Sequence, residues 1–225
     1  MTTSIISFFV NRERIHALFS EMLMSTSEKQ IMLVHALGGM GKSWLVAKLK
    51  HECSIQSPPV LYTSLDFKDG QAHDYLSIIR RVRDDLGAAH FNYLTQTINA
   101  GTDIHVNLQI TGSGTGGVNI TQSEVRIGGD VAGRDIIKDN FFNVQVDSEA
   151  VRREIEARIT EAFFSDLCSL LGKTTGVFFI DTYEKAPEAT RLWIENHLLY
   201  QIREVRLPRA VVIITGREVP QFDLD

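Results

Sequence analysis

The chain has 225 residues, 44% hydrophobic and 23% charged, and its 28 acidic against 23 basic side chains leave a net charge of −5. This balance excludes a disordered polyelectrolyte and a highly basic nucleic-acid binder, and no apolar run reaches the roughly 20 residues that span a bilayer. The length exceeds the usual ~100–150 residues of one domain and leaves room for an α/β core with an insertion.

The apolar run Ile5–Val10 is too short for a secretion signal and gives way at once to Arg12-Glu13-Arg14, which points to the cytoplasm. Ile15, Leu18, Phe19, Met22 and Leu23 recur at helical spacing and predict an amphipathic helix over Arg12 to Met24. A strand follows at Ile31–His35, then the stretch "HALGGMGKSWLV", a helix through Trp44, Leu45, Val46 and Leu49, and a second strand at Val60–Leu65. Tyr75, Ile78, Ile79, Val82 and Leu86 predict a further helix closed by Gly87, and a weaker one runs from Phe91 to Ile98. The cluster Arg80, Arg81 and Arg83, on the helix of Tyr75 to Leu86, reads as a solvated face. Cys53 and Cys168 fall in helical segments without metal-ligand spacing and read as reduced, buried thiols.

Residues 101–146 change character. Gly, Thr, Asn, Val and Ile dominate, and alternation at Val106, Leu108, Ile110, Val118 and Ile120 predicts short strands in a β-rich insertion. Gly112, Gly114 and Gly117 match the spacing G-x-G-x-x-G, but no helix follows, so a dinucleotide site is rejected. Helical period returns from Val151 to Leu171, followed by the strand Val177–Ile180 closed by Asp181, a helix around Trp193–Ile202, and the strand Ala210–Ile214 leading into "TGRE". Runs that are apolar throughout read as parallel strands buried on both faces.

Gly38, Gly39, Met40, Gly41, Lys42, Ser43 and Trp44 lie where a strand empties into a helix. Main-chain N–H groups converge there, glycines let the backbone approach a ligand closely, and a lysine can reach the outer phosphates, which is the build of a phosphate cradle. The pattern G-x-x-x-x-G-K-[ST] is met except at its first glycine, which is Ala36 here. Ser43 and Asp181 are the expected ligands of Mg²⁺, Asp181 because an acid closing a buried strand opens at the same sheet edge as the loop. Glu184 is positioned to polarise an attacking water, with a helix-terminal role as the alternative. Arg217 follows the last strand and is expected to contact the γ-phosphate.

Together "FFVNRER", "GGMGKS", "VFFIDTYE" and "VVIITGRE" resemble, in order and spacing, the signal-transduction ATPases with numerous domains, the STAND group that includes the NACHT and NB-ARC modules. The resemblance covers nearly everything outside 101–146. It implies a three-layer α/β P-loop NTPase domain with a mostly parallel sheet, formed by residues 1–100 and 147–225 around the insertion. It implies ATP or ADP with Mg²⁺ as ligands, and catalytic roles for Lys42, Asp181, Glu184 and Arg217. It also implies adenine contact by Val10 and Arg12, where Asn11 replaces the glycine usual in the family. Nucleotide state would control assembly into a homo-oligomer and activation of an effector, with slow hydrolysis as the reset. No fifth strand, helical lid or winged helix follows Arg217 before Asp225, so a truncated nucleotide-binding part is expected, with effector and sensor domains outside the chain and neither membrane nor nucleic acid as a partner. Adenine is expected over guanine, because nothing resembles the N-K-x-D stretch usual in a guanine site, and "KDN" at Lys138–Asn140 lies in the insertion. Two other functions fit a P-loop: a small-molecule kinase, and an assembly scaffold in which nucleotide is structural.

Overall fold

The computed structural model describes residues 13–24, 30–68, 74–101 and 149–221. The chain divides into two units, the first formed by Met1–Asn92 with Phe163–Asp225 and the second by Tyr93–Ala162. The strands expected within 101–146, and the segment holding Val10 and Arg12, lie outside the described residues.

In the first unit, helix α1 (Glu13–Met24) precedes β1 (Ile31–His35), α2 (Lys42–Ile55), β2 (Leu61–Asp66) and α3 (Tyr75–Leu86). All of helix α4 (Asn92–Gly101) but its first residue belongs to the second unit, as does α5 (Glu149–Leu171) as far as Ala162, and Leu94, Ile98, Ile159 and Ala162 are buried side chains there. Next come β3 (Gly176–Asp181), a 3-10 turn at Tyr183–Lys185, α6 (Glu188–Trp193), a π-helical stretch at Ile194–Leu199, α7 (Tyr200–Arg203) and β4 (Ala210–Gly216).

The four strands form one parallel sheet in the order β1-β4-β3-β2. Every residue of β3 and β4 is buried, as expected for central parallel strands covered on both faces. On one face Val177, Phe179, Val211 and Ile213 pack with Phe19 and Met22 of α1 and with Leu45, Leu49 and Cys53 of α2. The alternate residues Phe178, Ile180, Val212 and Ile214 are equally buried on the other. There Thr63, the register partner of Phe178, donates its hydroxyl to Asp85 of α3 at 2.8 Å. Helices therefore cover both sides of the sheet, and α2 shares the face of Val177, Phe179 and Asp181.

Three local expectations are corrected. The helix expected over Trp193–Ile202 begins earlier, at Glu188, and is interrupted by the π-helical stretch. Arg83 is not solvated: it is buried, and Asp84 accepts from its Nε and Nη2 at 2.9 and 2.7 Å, so a charge adjacent in sequence neutralises the guanidinium. Cys53 is buried, with burial pushing its thiol up to about 12, whereas Cys168 is exposed.

Candidate functional site

The glycine-rich loop leaves the carboxyl end of β1 and enters α2. Gly39 and Gly41 have φ of 79° and 73°, a left-handed backbone that favours glycine, and Gly41 is the N-cap of α2. No side chain caps this helix and no acid stands in its first turn, so its opening N–H groups keep the partial positive charge that attracts an anion. Lys42 folds back across the loop, its ammonium donating to the carbonyl oxygens of Ala36 at 2.6 Å and Leu37 at 3.0 Å. Ser43 and Trp44 are exposed in the first turn, and Met40 is exposed on the loop itself.

Across the carboxyl edge of the sheet, on the face shared with α2, the register sets Val34 beside Thr215 and Asp181 beside Asp66. Asp181 is 5% exposed. Its Oδ1 accepts from the main-chain N–H of Thr182 at 2.9 Å and from the hydroxyl of Thr215, which fixes the carboxylate and balances the burial of its charge. Asp66 closes β2 as Asp181 closes β3. Its Oδ1 accepts from the N–H of Lys68 at 2.9 Å and from the hydroxyl of Thr182 at 3.3 Å. Half-buried Lys50 of α2 belongs to the same electrostatic field: burial lowers its pKa, while Asp181 and Asp66 pull the other way.

Beyond Asp181 the chain turns sharply. Thr182 has φ 59° and ψ 41°, a left-handed conformation costing a β-branched residue about 1–2 kcal/mol. The 3-10 turn that follows is tied down by its side chains. Tyr183 is buried and donates its hydroxyl to Glu195, and burial together with that acceptor raises its pKa. Glu184 reaches the end of β4, where its Oε2 accepts from the main-chain N–H of Arg217 at 2.9 Å. Thr182, Tyr183 and Glu184 thus bind three different elements: the end of β2, the π-helical stretch and the end of β4.

Because β4 lies between β1 and β3, Arg217 emerges between the glycine loop and the acid turn. A Cβ on Gly38 would stand 2.7 Å from Nη2 of Arg217, so the guanidinium lies against the bare Cα of the loop. Its Nε is 3.9 Å from Oε1 of Glu184. Gly216 is similarly enclosed, since a Cβ there would meet the carbonyl oxygen of Glu218 at 2.3 Å and Oε2 of Glu184 at 2.8 Å.

The loop Gly38–Ser43, Asp181, Glu184 and Arg217 therefore gather at one edge of the sheet. Val10 and Arg12 fall outside the described residues. Among the described residues, no group of three or more His, Cys, Asp or Glu side chains could hold a metal ion. Magnesium asks less of a protein, because it keeps several waters and takes one or two protein oxygens beside phosphate. A fixed, buried Asp181 and an exposed Ser43 hydroxyl are hard oxygen donors of that kind.

Sequence reasoning missed Asp66, Thr182 and Thr215. Asp66 carries the signal that singled out Asp181, an acid closing a strand, in "LYTSLD". Thr215 lies two residues before Arg217 on the strand face of Asp181, but its role depends on β4 pairing with β3.

No protein-family model matches the chain, and no curated protein matches it. No helix among the described residues is long and apolar enough to cross a membrane.

Proposed function

We propose that this chain is the Mg-ATP-binding switch domain of a STAND-type signalling ATPase, built as a P-loop NTPase fold, in which the nucleotide's γ-phosphate is read by Arg217. The observation that carries the reading is the seating of the Arg217 guanidinium against Gly38, beside a helix start without a side-chain cap. In this reading the N–H groups of Gly38 to Ser43 hold the β- and γ-phosphates, and Lys42 exchanges its loop carbonyls for phosphate oxygens. Asp181 and Ser43 hold Mg²⁺, which neutralises phosphate charge when bound. Glu184 orients the attacking water, with slow turnover resetting the switch. Assembly into a homo-oligomer and control of an effector outside the chain follow from the family resemblance and belong to the same proposal.

The test is calorimetric titration of Mg-ATP into the parent protein and Lys42→Ala. Binding by the parent and no measurable binding by the variant is the expected result. Affinities within a few-fold of each other would show that the cradle is not the nucleotide site.

A further inference from the structure

Three consecutive residues after β3 are each held by a different element, and the first carries the strain. Thr182 is left-handed, and all its polar groups are engaged: its N–H donates to Asp181, its carbonyl accepts from Lys185 N–H at 2.9 Å, and its hydroxyl donates to Asp66. The carbonyl bond begins the turn that swings Glu184 back to Arg217. A threonine keeps such a backbone only where its surroundings over-determine it. Two of the three holds come from within the turn and its own strand, and Asp66 supplies the one from a neighbouring strand. The pairing of β2 with β3 puts that carboxylate beside Asp181.

We propose that Asp66 is a positioning residue: by accepting the Thr182 hydroxyl it holds the left-handed turn that presents Glu184 at the end of β4. It acts through an oxygen acceptor rather than through its charge, and it acts on Glu184 rather than on nucleotide. The catalytic half of the proposal rests on the ATPase reading above, whereas the link between Asp66 and Thr182 does not.

The experiment uses Asp66→Ala, Asp66→Asn, Thr182→Gly and the double variant Asp66→Ala/Thr182→Gly. Thermal unfolding reads the link without nucleotide. Asp66→Ala is expected to lower Tm by a few degrees in the parent and by clearly less beside Thr182→Gly, where glycine adopts the turn without support and only the bond from Lys68 N–H is lost. An equal loss in both backgrounds would overturn the link. Steady-state Mg-ATP hydrolysis reads the consequence. Asp66→Ala is expected to lower kcat about tenfold with KM within twofold, and both Asp66→Asn, which keeps an acceptor oxygen, and the double variant should recover most of it. If Asp66→Asn is as slow as Asp66→Ala, or if KM rises as kcat falls, Asp66 acts by charge on metal or nucleotide and the proposal fails. A parent that does not hydrolyse Mg-ATP overturns the ATPase reading and the catalytic half with it, while the unfolding data still decide the link.

Discussion

At the scale of single residues, burial and hydrogen bonding separate a group's structural role from its chemical one. Asp181 does both kinds of work, since the Oδ1 that accepts from Thr182 and Thr215 belongs to the carboxylate proposed to order magnesium. Asparagine can keep the acceptor oxygen while losing the charge; alanine removes both. In urea unfolding, Asp181→Ala is expected to cost about 1–3 kcal/mol, because the buried Thr215 hydroxyl loses its acceptor, and Asp181→Asn about 1 kcal/mol or less. Asp181→Asn should nevertheless weaken ATP binding in magnesium and leave it unchanged in EDTA. Equal weakening in both conditions would assign Asp181 to structure alone. The acid was legible because it closes an apolar strand; its threonine partner was not, because that bond crosses from β3 to β4. Arg83 misled for a different reason. Its neighbours Arg80 and Arg81 suggest a charged outer face, although Arg83 falls four residues after Ile79 and three before Leu86, on the buried stripe, where the carboxylate of adjacent Asp84 neutralises its guanidinium.

At the scale of elements, α2 both begins at the glycine-rich loop and covers the sheet. Its inner face buries Leu45, Val46, Leu49 and Cys53, while Lys50 is half-buried near Asp181 and Asp66. Burial lowers the Lys50 pKa from 10.5, so between its folded and unfolded values the unfolded chain binds more protons. Its contribution therefore makes the fold more stable as pH rises through the lowered folded value towards 10.5, and less stable below that window. Replacing it with methionine should flatten this alkaline rise in stability, as measured by urea midpoints across the pH series. An unchanged slope would mean that Lys50 is not the titrating group. Periodicity gave away the helices and apolar runs the strands, with boundaries mostly within a residue or two. The 3-10 turn at Tyr183–Lys185 left no such trace, because Thr182, Tyr183 and Glu184 are fixed by partners 116, 12 and 33 residues away. The π-helical stretch was equally hidden in a sequence that reads as one ordinary helix.

At the scale of the whole molecule, strand order turns scattered motifs into one site. With β4 between β1 and β3, the residue after β4 must emerge between the glycine loop and the acid turn, which is why Arg217 reaches Gly38 and Glu184 together. The motifs were legible one by one, but this convergence depends on long-range pairing that no local pattern encodes. The central claim is that Arg217 reads the γ-phosphate, and the most direct test is the ratio of Mg-ADP to Mg-ATP Kd, measured by calorimetry for the parent and Arg217→Ala. The parent is expected to favour Mg-ATP by about tenfold, as a charge-assisted contact worth roughly 1.4 kcal/mol would give, with the ratio falling towards one in the variant through weaker ATP binding alone. A parent that binds the two nucleotides equally, or a variant that keeps the parent's ratio, would contradict it.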